Sequence, residues 1–490
     1  MALVAAVIAG DHVVLRASPS RTAAQQAVLW RGDWLEVRGE QRGWLKVYDH
    51  RHERPGWVAG ASARSVTLDD HAAPALRAVV EFLRDAPGSE SLGIAYAGLY
   101  MKVAPRGGID ASLLVSLGTM ADRLAHRASS EAADGHAAQQ LEVAQSWGIG
   151  FASIERPDGI RTCYDGAAFR QALALAPSGP DLATAVLGLT DPACEPQTVG
   201  ATERRARDEA ALDLLGRVEP TQVPGPIGNR IRIRRAVLGA RLAWALGRGG
   251  DPSAGKIADA AAAAFARVDR PELADDDVAD YEASALEVAA SRWAAAAPAP
   301  PRKGDPGLVL TPGGPGETCV VLAERTEAGG GGPAGSAGAG GGVPRGTNAA
   351  GGAPARPDGA PARCTHGQVW ASSFRVAPDH AAAVLAIEPL PGWLELWLFR
   401  RAAGGWTLDV LAPATEGPDL GYVELAGWSG DAARAVIVRE AREAGAIHRT
   451  YQVIKLASLA VEHQSSRLAD LGAGRAWLLP EWRGRTLALR

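Results

Sequence analysis

The sequence predicts a multidomain α+β protein: a small N-terminal β-barrel, an all-helical middle and a C-terminal antiparallel β domain. Two observations carry this. The apolar period is close to two over residues 4–68, changes to a helical one over 72–300, and returns to two from Val369. The composition also breaks twice, at the Pro-rich run from Pro298 to Gly307 and across the Gly/Ala/Pro tract at 328–363. The third domain therefore runs over 306–490 and carries that tract as an insertion.

At 490 residues the chain can bury several separate cores. Its 47% hydrophobic and 22% charged residues are those of an ordinary soluble protein. A formal charge of -4 supplies no basic field for nucleic acid, and no apolar run is long enough for a membrane-spanning helix. The apolar start, Ala2 to Gly10, has no basic segment before it and leads into a strand pattern, so it does not read as a secretory leader. A cytosolic location or a removed leader both fit that start. The four cysteines favour the second: Cys163 with Cys194 and Cys319 with Cys364 form two sequence-local couples without CxxC spacing, which suits two structural disulfides rather than a zinc site. Abundant Ala, Gly, Arg and Pro with few lysines match a GC-rich bacterial genome.

In the first module, strands are expected at His12–Arg16, Ala27–Trp30, Trp34–Arg38, Trp44–Tyr48 and Trp57–Gly60, with turns at Arg31–Asp33 and Glu40–Gly43. Such close strand spacing suits a small barrel. The segment resembles the bacterial SH3-like domain of cell-envelope proteins: Val14-Leu15-Arg16-Ala17-Ser18-Pro19-Ser20 matches its opening, Gly43-Trp44-Leu45-Lys46-Val47 its central strand and Gly56-Trp57-Val58 its close. It departs where the family's first Asn is absent and where Arg16-Ala17 replaces Arg-Ser. The resemblance implies a barrel attached to envelope proteins, where it binds wall peptides or other ligands. Trp44 and Trp57 are expected to fill the barrel, while Trp34 and Tyr48 are the candidates for a ligand groove. The loop Asp49-His50-Arg51-His52-Glu53 has residues of metal-binding type, but Arg51 and Arg54 oppose a cation; a solvated loop is expected, and no metal or cofactor.

In the middle domain, apolar stripes such as Leu76, Val79, Val80, Leu83 and Leu113, Leu114, Leu117, Met120, Leu124 mark helices. Further helices are expected near 91–103, 137–147, 166–176, 201–218, 230–247, 254–268 and 276–297, with Trp147–Gly166 as an irregular break. Leu92–Tyr96 matches a fragment of the tetratricopeptide pattern, but no repeat follows. Gly250–Lys256 fits the spacing of a phosphate loop, yet Ile257 replaces the metal-binding hydroxyl and a helix precedes it. Cys163 would need a histidine base to act as a nucleophile, and none stands in a recognisable setting. Asp275–Asp277 reads as a helix start.

The C-terminal domain reads as four-stranded meanders whose turns at Asp379, Asp431 and Arg483 are evenly spaced, with short strands at Leu308–Leu310 and Thr318–Ala323 ahead of them. The pattern resembles WD-repeat-like β-propeller blades, and Trp393, Trp397, Trp406, Trp428, Trp477 and Trp482 are placed as blade cores. Together these readings describe a non-enzymatic, periplasmic or extracellular bacterial protein that binds a wall component or an envelope protein. A peptidoglycan hydrolase targeted by the SH3-like domain and a cytosolic helical scaffold are the alternatives.

Overall fold

The computed structural model describes residues 3–130, 135–156, 159–196, 199–295, 301–323, 362–403, 405–415, 418–484 and 489. The chain divides into two compact units, Met1–Ile231 and Arg232–Arg490.

The first unit begins with β1 (Leu3–Ile8), β2 (Val13–Arg16), β3 (Gln25–Leu29), β4 (Trp34–Gln41), β5 (Trp44–Asp49), β6 (Arg54–Ala59) and β7 (Ala63–Leu68). They form one antiparallel sheet in the order β3-β2-β6-β5-β4-β1-β7, with β3 and β7 as its edges. Where five strands of a small barrel are expected, the structure has a seven-stranded antiparallel sheet, and among the described residues its edges β3 and β7 are not paired with each other. The two added strands are the first and the last. β1 is a continuous apolar run because Ala5, Ala6, Val7 and Ile8 are all fully buried, which places it between two cores.

One core is the sheet's own: Ala6, Ile8, Leu15, Leu29, Leu35, Leu45, Val47, Val58 and Ala63 come from all seven strands. Among the described residues no helix residue joins this cluster, so the sheet curls over its own face. The other core joins Ala5 and Val7 to the helices α1 (Ala73–Arg84), α2 (Glu90–Val103), α3 (Ala111–Ser129) and α4 (Ala137–Ser146). Asp110 caps α3 by accepting from Leu113 N at 2.8 Å and receives Arg77 of α1 at 2.9 Å. Glu90, fully buried at the start of α2, is held by Arg123 at 2.7 Å and Arg127 at 3.2 Å.

The middle of the chain is not all-helical. The segment expected to be irregular contains a hairpin of β8 (Phe151–Arg156) and β9 (Gly159–Tyr164), in which Phe151 faces Tyr164. It docks on α3 through Ser129, whose hydroxyl accepts from Thr162 N at 2.8 Å. The helices α5 (Ala167–Ala174), α6 (Gly179–Leu189), α7 (Ala201–Gly216) and α8 (Gly225–Arg248) follow, the last crossing the boundary between the units. α6 was not expected. Pro180 lies in its first turn, where a proline starts a helix rather than breaking one. Cys163 of β9 is bonded to Cys194.

The second unit holds α9 (Ala254–Phe265), α10 (Val278–Ala290) and α11 (Arg292–Ala295), then a three-stranded sheet of β10 (Gly307–Pro312), β11 (Thr318–Ala323) and β12 (Ala362–Thr365). Cys319 and Cys364 face each other across β11 and β12 and are disulfide-bonded. The Gly/Ala/Pro insertion expected at 328–363 lies outside the described residues except for Ala362 and Arg363, which belong to β12. Asp275–Asp277 forms a short 3-10 turn leading into α10, as expected of a helix start.

The remaining strands are β13 (Gln368–Val376), β14 (Ala382–Leu390), β15 (Trp393–Ala402), β16 (Gly405–Leu411), β17 (Gly421–Trp428), β18 (Arg434–Glu443), β19 (Ala446–Lys455) and β20 (Val461–Ser465). They make two antiparallel meanders, β13–β16 and β17–β20, merged into one eight-stranded mixed sheet by a short parallel pairing of β15 with β17. The repeat shows in the turns. Asp379 accepts from Ala381 N at 3.0 Å and Asp431 from Ala433 N at 3.1 Å, and the residue after each aspartate has positive φ, 59° at His380 and 53° at Ala432. Among the described residues no third repeat begins where expected: Arg483 has no side-chain oxygen to build that turn, and Pro480–Gly484 is helical as α12. The tryptophans Trp393, Trp397, Trp406, Trp428 and Trp482 are buried, as expected; Trp477 is half-buried.

Glu388 on β14 shows the cost of a carboxylate in this setting. Burial pushes its carboxyl above the usual range, against the pull of the Gly392 N–H that it accepts at 3.0 Å. A raised folded-state pKa makes the charged form costly at neutral pH, and the cost disappears as pH falls through that pKa. Glu388→Gln, which keeps the accepting oxygen, is expected to raise the melting midpoint at pH 7. The advantage should fade at acid pH, where the wild-type carboxyl is already neutral. Thermal melts at both pH values check this.

Candidate functional site

The period-two phase of the first sheet decides which aromatics are available. Leu35, Leu45, Val47 and Val58 point into the rolled core. Trp34, Trp44, Tyr48 and Trp57 have the opposite phase, and all four are only partly buried. The expectation that Trp44 and Trp57 fill the interior is therefore corrected: aliphatic side chains fill it, and the aromatics lie on the opposite face of β4, β5 and β6, where Trp34 also packs against the helical core.

Part of that surface is a continuous strip. Tyr48 faces Glu36 across the β4–β5 ladder. Arg38 lies 4.2 Å over the Tyr48 ring and bonds Glu36 at 3.1 Å. His50 stands edge-on to Tyr48 at 4.9 Å, stacks on Trp34 at 4.9 Å and reaches Glu36 with Nε2 at 3.0 Å. The structure thus links the two sequence-predicted candidates, Trp34 and Tyr48, through His50. The Arg38 hydrogen bond holds the Glu36 carboxyl below its usual range, so it is an anion at neutral pH.

The strip continues onto the helices. Trp147, just past α4, approaches Trp34 at 6.0 Å between ring centroids, with the planes tilted by 43°. Lys102 of α2 places Nζ 4.3 Å from the Trp34 centroid and 5.7 Å from that of Trp147. Two glycines make this possible. Gly98 lies one turn before Lys102 on the same face of α2, and a Cβ there would come within 2.3 Å of the Trp147 ring. Gly32, at φ 91°, presses the β3–β4 turn against the Ser91 carbonyl, and its own carbonyl accepts from Trp147 Nε1 at 3.1 Å. Gly98→Ala is expected to cost about 1–3 kcal/mol through overpacking. It should also shift the Trp147 indole N–H resonance, which reports the ring's displacement separately from stability.

The loop from Asp49 to Arg54 is organised rather than freely solvated. Asp49 is buried and accepts the backbone N–H groups of Arg51 and His52 while engaging His52 Nδ1. Arg51 bridges Asp33 at 3.1 Å and Glu142 of α4 at 2.6 Å, fastening the loop to both the sheet and a helix. Burial pushes the Asp33 carboxyl up, opposed by the Trp30 N–H and Arg51.

The other sequence motifs have structural roles. Gly250–Lys256 joins two helices, and Asp251 accepts from Ser253 N and Oγ within the turn. Leu92–Tyr96 is one stretch of α2 packed in the helical core. Cys163 is held in its disulfide, which takes its sulfur out of use as a thiolate. The grouping of Glu317 with Cys319 and Cys364 is no metal site while those two sulfurs are bonded to each other. Among the described residues no helix is long and apolar enough to cross a membrane. Compared with protein-family models, with curated proteins and with solved structures, the chain matches none.

Proposed function

We propose that this chain is a non-enzymatic binding protein of the bacterial envelope, with an SH3-like first sheet that presents the Trp34–Tyr48 strip to a wall component or an envelope protein. The observation that carries the reading is the phase of β4, β5 and β6. Trp44, Tyr48 and Trp57 face away from a core that aliphatic residues already fill, Trp34 shares their face while also packing against the helical core, and such amphipathic side chains are typical of recognition surfaces. The two disulfides support an oxidising compartment, periplasmic or extracellular. In this reading the paired meanders of the second unit are propeller-like blades that serve as scaffold.

Co-sedimentation of the full chain with purified peptidoglycan sacculi tests the proposal. The wild type is expected to sediment with them. Tyr48→Ala, which removes a surface ring without opening the core, should weaken binding by about 5- to 30-fold, as at an interface anchor. Equal retention of both proteins, or of neither, would remove this assignment of the face.

A further inference from the structure

We propose that Trp34 and Trp147 form a receptor for an alkylammonium group, occupied here by the chain's own Lys102. The inference rests on reading this face as ligand-binding and names the chemistry that it recognises.

The charges of the neighbourhood carry the argument. Arg38 is paired with Glu36, and Arg51 with both Asp33 and Glu142. Lys102 differs: among the described residues no carboxylate lies within ion-pair distance of it, and the contacts of its ammonium are two indole faces, at 4.3 and 5.7 Å. A cation over two converging indoles is the arrangement that favours ammonium ligands, because the ring quadrupole attracts charge without requiring a hydrogen-bond acceptor. Lys102 is itself exposed, so the place its ammonium takes opens to solvent. The carboxylates of this neighbourhood are engaged by other side chains, Glu36 by Arg38 and His50, and Asp33 and Glu142 by Arg51, so the indoles are what hold the Lys102 ammonium. A substituted ammonium fits best because it sheds water more readily than a primary one.

A tethered lysine that occupies the receptor nine-tenths of the time would weaken an incoming ligand about tenfold. Calorimetric titration of the full chain with choline, and with its neutral isostere 3,3-dimethylbutan-1-ol, reads this directly. Lys102→Met is expected to bind choline about tenfold more tightly than the wild type. Adding Trp34→Phe should lower that affinity about 3- to 5-fold, while the neutral isostere binds none of them measurably. Equal choline affinity in wild type and Lys102→Met, or equal binding of the isostere, would overturn the proposal. Thermal melts of each variant confirm that the comparison is between folded proteins. Retention on sacculi that persists when choline binding fails would sink the ammonium receptor alone. Loss of sacculi binding with choline binding intact would instead sink the envelope assignment.

Discussion

Glu424→Leu is expected to destabilise the second unit by about 3–5 kcal/mol, the usual cost of breaking a buried charge pair from one side. Glu424 lies on β17 and is only 3% exposed. Its two oxygens are used by different elements: Arg292 of α11 donates at 2.9 Å and the Trp482 indole N–H of α12 at 2.8 Å. Leucine fits the volume but leaves a guanidinium and an indole N–H facing it without that acceptor. Beside it, Glu440, with no exposed surface, accepts from the Tyr422 hydroxyl at 2.9 Å and from Leu489 N at 3.1 Å. Burial drives the Tyr422 hydroxyl far above its ordinary range, so it remains a donor. The carboxylates therefore tie α11, α12 and Leu489 to the sheet. A fall of about 10 °C in the unit's melting midpoint is the expected result for Glu424→Leu. Glu424→Gln, which retains an accepting oxygen, should cost less, and that contrast separates lost hydrogen bonding from lost packing.

Reduction of the disulfides is the second large effect. Cys163 and Cys194 are separated by 31 positions and Cys319 and Cys364 by 45. Loop-closure entropy then assigns about 3.7 and about 4.0 kcal/mol to the two bonds. The first ties the β8–β9 hairpin to the short 3-10 turn at Pro192–Cys194 and belongs to the first unit. The second closes the β11–β12 pair and belongs to the second unit. Paired Cys→Ala substitutions should therefore each lower the melting midpoint of one unit and leave the other unchanged. Alkylation before reduction is expected to label no cysteine, and alkylation after it to label four.

Much of this architecture was legible because local pattern and final fold agree. The strands β4 and β5, the two disulfide couples and the meanders of the second unit all follow from period, turn chemistry and spacing. The failures have physical causes. β1 alternates in no visible way because both of its faces are buried, so the signal that marks a half-buried strand is missing. Even spacing alone does not make a third β repeat, because Arg483 cannot supply the side-chain acceptor that Asp379 and Asp431 use.

For the site, Trp34 and Tyr48 were visible in the sequence and His50 appeared only as a loop residue. The phase that turns Trp44 and Trp57 outward was readable from Leu45, Val47 and Val58. Trp147 and Lys102 were out of reach, since they join Trp34 only after the helices pack on the sheet. The trace that sequence did hold was Gly98, a glycine inside a helix one turn before Lys102, which marks a close approach by a large side chain.

We propose the Trp34–Tyr48 strip of the first unit as the ligand-binding face of this protein. Soluble muropeptide fragments titrated into the full chain, with the tryptophan indole N–H resonances assigned, test it most directly. The prediction is that the Trp34 and Trp147 resonances shift in a saturable way while those of Trp397, Trp428 and Trp482 stay fixed. Shifts confined to the tryptophans of the second unit would contradict it.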